Sequence, residues 1–246
     1  MTEDLKKAAK IIRKAKYAVV FTGAGISVES GILPFRGENG IWKTHNPMYF
    51  EIDFFKKKPF QSWMKIKELF YDNIDEYKPN IAHVVVAKME KRGFIETVIT
   101  QNIDNLHQQA GNKHVYELHG TLRTLVCTEC SSDYDLSFVD MNFLPPTCYV
   151  CKGLLKPDIV FFNEKPPHFA MQRSKQEAIK SDLMIIIGAK GEVLPAAEIP
   201  ELAKETGSKI IEINIDRSHF TETITDVFLQ GKATEILGKL GELLYL

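Results

Sequence analysis

Four side chains suited to acid–base or hydrogen-bonding chemistry fall close together: Gln101, Asn102, Asp104 and His119. Val98, Ile99 and Thr100 before them read as the end of a buried strand, being β-branched and apolar. The polar trio therefore gathers where a strand gives way to a helix, the edge at which open α/β sheets bind ligands. A second short strand, Val115 to Leu118, delivers His119, and Gly120 lets the chain turn away without a Cβ. An imidazole is the natural general base near neutral pH. The plainer alternative is that Asn102 and Asp104 only cap a helix, as both residue types often do. That alternative does not account for the four residues together.

Two further motifs carry chemistry. Cys127-Thr-Glu-Cys130 and Cys148-Tyr-Val-Cys151 are separated by seventeen residues, inside the window of structural zinc sites. Four thiolates close a tetrahedral shell without an open position, so such a metal holds the fold and does no catalysis. A redox pair would need a thioredoxin-like context, which is absent. The second motif is Gly23-Ala24-Gly25 after the apolar run Tyr17 to Phe21, which places backbone N–H groups near a helix start, where a pyrophosphate binds well. As a dehydrogenase fingerprint it fails, because the third glycine position holds Val28 and no ribose-binding acid follows in Lys43-Thr44-His45. A tight turn packing helix on strand is the structural alternative.

The elements that must position these groups alternate. Helices are expected over 3–15, 61–77, 79–92, 164–180, 195–206 and 232–244. Strands are expected over 17–21, 98–100, 115–118, 157–162, 183–187, 209–214 and 227–229. That order implies βαβ units and a parallel sheet covered on both faces. Residues 32 to about 60 read as one long irregular segment, a length usually found in functional lids.

Composition narrows the class. The 246 residues can bury a large core and carry a smaller module. A net charge of −1 and a pI near 6.7 argue against a polyanion-binding surface, so no nucleic-acid partner is expected. No basic start followed by an apolar run marks a secretory leader, and runs such as Met184 to Ile187 are too short to span a bilayer. All four cysteines sit in the two pairs, which suits a cytosolic metal site, so a cytoplasmic protein with no membrane partner is expected.

Gly23-Ala-Gly-Ile-Ser27, Phe35-Arg36, Thr100-Gln-Asn-Ile-Asp104, His119-Gly120, the Cys pairs, Val160-Phe-Phe162 and Asn214 occur in the order of the sirtuin family, which the chain resembles over nearly its whole length. The resemblance implies a Rossmann-like NAD-binding domain from 1–31, 80–120 and 157–246. It further implies a small domain made of a cofactor loop and helical insertion over 32–79 and a zinc-ribbon module over 121–156. The activity implied is NAD-dependent removal of acyl groups, most simply acetyl, from protein lysine. The products would be nicotinamide and O-acyl-ADP-ribose. NAD is then a co-substrate, one structural zinc sits on the four cysteines, and an acyl-lysine protein or peptide is the partner; monomer is the default state.

Residue by residue, the resemblance places Gly23, Ala24, Gly25, Phe35, Arg36, Gln101, Asn102, Ile103, Asp104, Gly188, Ala189, Lys190, Asn214, Ile215, Lys232 and Ala233 around NAD. His119 would be the base, and Asn102 would orient ribose and water. Asp104 would grip the nicotinamide carboxamide, while Phe35 would shield the reaction from water. Val160, Phe161, Phe162, Glu192 and Val193 would hold the acyl-lysine peptide.

Several positions depart from the family pattern: Pro34 before Phe-Arg, Asn163 in place of a Gly, Ala189-Lys190 in place of two hydroxyl residues, and Glu192 beside the peptide. Rival readings keep the fold: a sensor of NAD or acyl-lysine with weak turnover, or a mono-ADP-ribosyltransferase or NAD hydrolase. His83 and His107 read as packing or surface histidines. Trp42, Tyr49, Phe54 and Phe55 read as lid and small-domain packing. Trp63, Met64 and Ile66 are expected to wall the acyl channel.

Overall fold

The computed structural model describes residues 3–37 and 40–246. Six parallel strands form the main sheet: β1 (Ala18–Thr22), β2 (Thr97–Thr100), β3 (Val115–Glu117), β7 (Leu183–Ile187), β8 (Lys209–Asn214) and β9 (Val227–Gln230), in the order β3-β2-β1-β7-β8-β9. The strand order reverses between β1 and β7, which opens a crevice at their carboxyl ends. Every residue of β1, β2 and β7 is buried, as continuous apolar strands covered on both faces should be.

Alternate side chains supply two cores. Val20, Val98, Ile185, Ile187, Ile211 and Ile213 pack on one face with residues of α1 (Glu3–Lys14), α5 (Ile81–Lys91) and α10 (Ala233–Leu244). Val19, Phe21, Ile99, Met184, Ile186 and Ile210 pack on the other with α7 (His168–Lys180) and α8 (Glu198–Glu205). Among the described residues no helix is long and apolar enough to cross a membrane.

A second, three-stranded antiparallel sheet joins β4 (Gly120–Cys127), β5 (Asp133–Asp135) and β6 (Leu155–Ile159) in the order β5-β4-β6. The strand expected over 157–162 in the parallel series runs from Leu155 to Ile159 and pairs antiparallel with β4. The chain leaves the main sheet at Gly120, whose φ of +76° makes the turn and where a Cβ would lie 1.9 Å from the Asp158 carbonyl oxygen.

The segment expected to be irregular contains three short helical turns and helices: α2 (Ile41–Thr44), a 3₁₀ turn at Pro47–Phe50 and α3 (Ile52–Lys57). The helix expected over 61–77 is α4 (Pro59–Ile66), followed by a π-helical turn at Lys67–Tyr71. Trp63 and Ile66 are fully buried in the small-domain core with Phe55, Leu125 and Leu155, and Trp63 Nε1 donates to the Leu155 carbonyl at 2.9 Å. Met64 is exposed. None of the three walls the cleft, because the apolar face of α4 packs on the small antiparallel sheet. The short helices α6 (Leu106–Ala110) and α9 (His219–Thr223) complete the chain.

Candidate active site and thiolate cluster

A cleft of about 960 Å³ opens between the two sheets at the carboxyl ends of β1, β2, β7 and β8. It is lined by Gly23, Ala24, Gly25, Phe35, Arg36, Gln101, Asn102, Ile103, His119, Val160, Phe161, Phe162, Gly188, Ala189, Lys190, Glu192, Val193, Asn214, Ile215, Lys232 and Ala233. Asp104 lies behind this wall.

The glycine turn is shaped by contact with a second turn. Gly23 and Gly25 donate to the carbonyls of Ile187 and Gly188 at 3.0 and 2.9 Å, and a Cβ on Gly25 would come within 2.6 Å of Gly188 Cα. The packing role weighed for these glycines is thus real. The expected α-helix start is instead two 3₁₀ turns, Ala24–Ile26 and Val28–Ser30, which spend the N–H groups of Ile26 and Ser27 internally.

At the end of β2 the polar trio divides its work. Asn102 is buried and does not cap a helix; its Nδ2 donates to the Gly23 carbonyl and to Ser27 Oγ, both at 3.2 Å. Asp104 sits one residue before Asn105, the N-cap of α6, and steadies the start of that helix: Oδ1 accepts from Leu106 N at 2.9 Å, and Oδ2 accepts from Ser27 Oγ at 2.7 Å. Burial raises the Asp104 pKa against these hydrogen bonds. His119 Nδ1 lies 2.9 Å from the Gln101 carbonyl oxygen. Burial lowers its pKa, with that hydrogen bond acting in the opposite direction. Glu117, two residues earlier, is pushed up to about 7 by burial.

Ser27, quoted only as the end of the glycine motif, and His83, read as a packing or surface histidine, brace the polar trio without lining the cleft. His83 Nδ1 faces the Asn80 N–H at 3.3 Å, which leaves its Nε2–H directed at Ser27 Oγ, 3.4 Å away. His107 supports the same region from beneath. Thr22 Oγ1 donates to Thr100 Oγ1 at 2.8 Å, and the Asn102 N–H donates to that same oxygen at 3.0 Å. Since the one Thr22 hydroxyl proton is spent, His107 Nε2 is the donor in its 3.0 Å contact with Thr22. Both histidines are therefore packed, neutral imidazoles and neither is on the surface; burial lowers His83 to about 3 and His107 to about 4.

The cleft roof is aromatic. Phe35 stacks on Trp42 at 5.6 Å between centroids and meets Phe70 edge-on at 6.0 Å; Trp42 also touches Phe50 and Phe162. Pro34 and Phe35 carbonyls accept from Ile41 and Trp42 N–H, so the lid folds back on itself. Asn163 takes the left-handed conformation with φ +70°, doing the backbone work of the glycine it stands for. Lys190 reaches the lid, its Nζ 4.0 Å from where a Gly37 Cβ would be.

At the far end of the small sheet, the Sγ atoms of Cys127, Cys130, Cys148 and Cys151 all lie within 4.8 Å of one another, and none is in a disulfide. The Cys127–Cys151 and Cys130–Cys148 separations are 3.4 and 3.6 Å. A tetrahedron of zinc–sulfur bonds near 2.3 Å has an edge of ~3.8 Å, so the cluster has the size of a closed zinc site. Backbone N–H groups of Glu129, Cys130 and Gly153 point at Cys127 and Cys151 sulfur, as expected around thiolates.

A reversed parallel sheet, a cleft at its switch point and a thiolate-clasped second lobe define a two-lobed α/β nucleotide-binding enzyme class. Within that class the chain belongs to the Sir2 family, whose family model matches residues 23–195. It is 41% identical to an NAD-dependent protein deacylase of Thermococcus kodakarensis, over 96% of this chain and 94% of the relative. It is 39% identical to an NAD-dependent protein deacetylase of Thermotoga maritima, over 90% and 91%. A solved structure described as Sir2 with a p53 peptide and NAD+ superimposes with a TM-score of 0.87 at 35% identity, covering 98% of both chains.

Proposed function

We propose that this protein is an NAD-dependent protein-lysine deacylase whose reaction centre is built from His119, Asn102 and Asp104. The observation that carries this reading is the meeting of three parts in one cleft: the glycine turns, the polar ends of β2 and β3, and the Val160–Phe162 segment. The cleft fits an extended dinucleotide, and its aromatic side fits an acyl-lysine chain, with Glu192 and Val193 also in its lining. When bound, NAD supplies a glycosidic carbon that exchanges nicotinamide for the acyl oxygen of the peptide.

The chain's own residues then have separable tasks. His119, with Nδ1 engaged by Gln101, presents Nε2 as an acceptor for a ribose hydroxyl proton. Asn102 is held from both sides, by Ser27 and Gly23 at its amide and by Thr100 at its backbone, and orients ribose and water. Asp104 is braced by Ser27 to receive the nicotinamide carboxamide. Phe35, under Trp42, excludes water. Arg36, Lys190 and Lys232 offer cations toward the pyrophosphate. Acetyl-lysine is the simplest substrate, with free lysine, nicotinamide and O-acetyl-ADP-ribose as products. The thiol-held metal site suits a reducing compartment, so we place the protein in the cytoplasm as a monomer.

Mass spectrometry of an acetyl-lysine peptide incubated with NAD tests the reading. Loss of the acetyl mass with matching appearance of acetyl-ADP-ribose is expected. NAD cleavage that is indifferent to the peptide would overturn it.

A further inference from the structure

Lys156 carries a largely enclosed charge that the chemistry above does not use. Its side chain is 14% exposed and sits on β6, three residues before the cleft-lining Ile159. The ammonium donates to the Ile159 carbonyl at 2.7 Å, to the Pro157 carbonyl at 3.2 Å and to Glu164 Oε2 at 2.9 Å. A lysine ammonium has three protons, and all three are spent here. The charge also lies 4.3 Å from the centroid of the Phe161 ring.

Glu164 completes the loop. The oxygen that meets Lys156 also accepts the Phe161 N–H at 2.8 Å, while the Glu164 N–H returns to the Phe161 carbonyl at 3.0 Å. One ion pair thus fixes the end of β6 and the turn at 160–164 as a unit. That turn is tied to the reaction centre, since Val160 N donates to the His119 carbonyl at 2.9 Å. It is tied to the aromatic roof through Phe162 N and the Phe50 carbonyl at 2.8 Å.

We propose that Lys156 is a positioning residue for the acyl-lysine substrate: paired with Glu164, it sets the backbone of residues 160–164 against His119. The proposal rests on the deacylase reading, in which this turn holds the peptide. A partly enclosed salt bridge such as this, with Glu164 24% exposed, adds little net stability but fixes geometry, because loss of one partner leaves a charge with much of its hydration removed.

The test uses Lys156→Met with Glu164→Gln. The single Lys156→Met strands the Glu164 carboxylate and lowers the unfolding midpoint. The double variant removes both charges while Gln still accepts the Phe161 N–H, so the midpoint returns near the wild-type value. Positioning predicts that the double variant keeps its KM for NAD within twofold while its KM for acetyl peptide rises about tenfold, equivalent to about 1.4 kcal/mol. Lys156→Arg, which keeps the charge, should recover part of that loss. A double variant with wild-type peptide KM overturns the proposal, as does an equal rise in both KM values. Should the double variant not fold, Glu164→Gln alone is read by the same criterion. A wild-type protein that neither binds nor turns over acyl peptide defeats the deacylase reading and this proposal with it. A wild type that turns over, beside variants with unchanged peptide KM, defeats this proposal alone.

Discussion

His119 Nδ1 and the Gln101 carbonyl oxygen are 2.9 Å apart, and since a carbonyl can only accept, Nδ1 carries the proton. The lone pair of a neutral ring is therefore on Nε2. The backbone of the residue beside Asn102 sets the tautomer of the base, so β2 and β3 must be in register for the chemistry to be possible. They are, through Ile99 beside Tyr116 and Thr100 beside Glu117.

His119→Ala should lower kcat for deacetylation by a hundredfold or more, within the ~10²–10⁴ range of a general base, while NAD binding persists. Burial lowers the His119 pKa, so the ring stays unprotonated to below its ordinary value near 6.5. The acid limb of the wild-type rate profile should accordingly have its midpoint below pH 6.5. A wild-type rate in the Ala variant, or a midpoint above 6.5, refutes this assignment.

The two buried imidazoles predict how stability responds to acid. Their folded pKa values, about 3 for His83 and about 4 for His107, lie below the unfolded value of 6.5. Unfolding therefore takes up protons, and stability is lost as pH falls below 6.5, down to about 4 and 3. Glu117 acts oppositely: with its pKa raised from 4.5 to about 7, it loses stability as pH rises through that window. A comparison isolates the histidine effect. Wild type should lose more stability than His107→Gln between pH 7 and pH 5, measured by urea unfolding. Equal losses would show that His107 is not held neutral.

The sequence made some of this visible and hid the rest for physical reasons. Gln101, Asn102 and His119 could be read because strand ends concentrate ligand groups, and the cysteines because ligand spacing is short and local. Ser27 was quoted as the end of the glycine motif but given no role, because a serine after a glycine turn has no periodicity to mark it. Its value appears only when folding brings it to Asp104, 77 positions away. Trp63 was misplaced because α4 is apolar toward its own domain, and periodicity does not say which neighbour a face meets. Leu155–Ile159 was put with the wrong sheet because strand propensity is blind to partner and direction.

Four cysteine sulfurs within 4.8 Å of one another predict one zinc per chain and coupling of metal to folding. β4 and β5 are joined through Cys127 and Cys130, and Cys148 and Cys151 precede β6, so loss of metal should loosen the small sheet first. Elemental analysis of protein purified without chelators should give a 1:1 ratio. Prolonged chelation should lower the unfolding midpoint and expose amides of 120–159 to hydrogen exchange while β1 and β7 stay protected. Metal-free protein with unchanged exchange would refute the coupling.

The last prediction concerns the acyl group. Sirtuins that prefer succinyl or malonyl lysine carry a Tyr-x-x-Arg pair on the small-domain helix, and no register of Ser62-Trp-Met-Lys-Ile-Lys67 offers one. Trp63 and Ile66 of that stretch are buried in the small-domain core and do not line the cleft. The cleft's apolar side is instead Phe35, Trp42, Phe50, Phe70, Ile159, Phe161 and Phe162, an aromatic wall without a guanidinium fork among them. Arg36, the arginine that does line the cleft, is exposed on the lid rather than set among these rings. A carboxylate on the acyl chain would lose hydration against that wall without a bidentate partner, and desolvation of an unpaired charge is costly. Acetyl and longer aliphatic chains lose nothing of the kind and gain from burial. Matched peptides should therefore show acetyl-lysine at least tenfold above succinyl-lysine in kcat/KM, about 1.4 kcal/mol of transition-state preference. A succinyl peptide that outruns the acetyl one would mean that Arg36 or Lys190 swings in to meet the carboxylate, and Arg36→Gln and Lys190→Gln would then tell which.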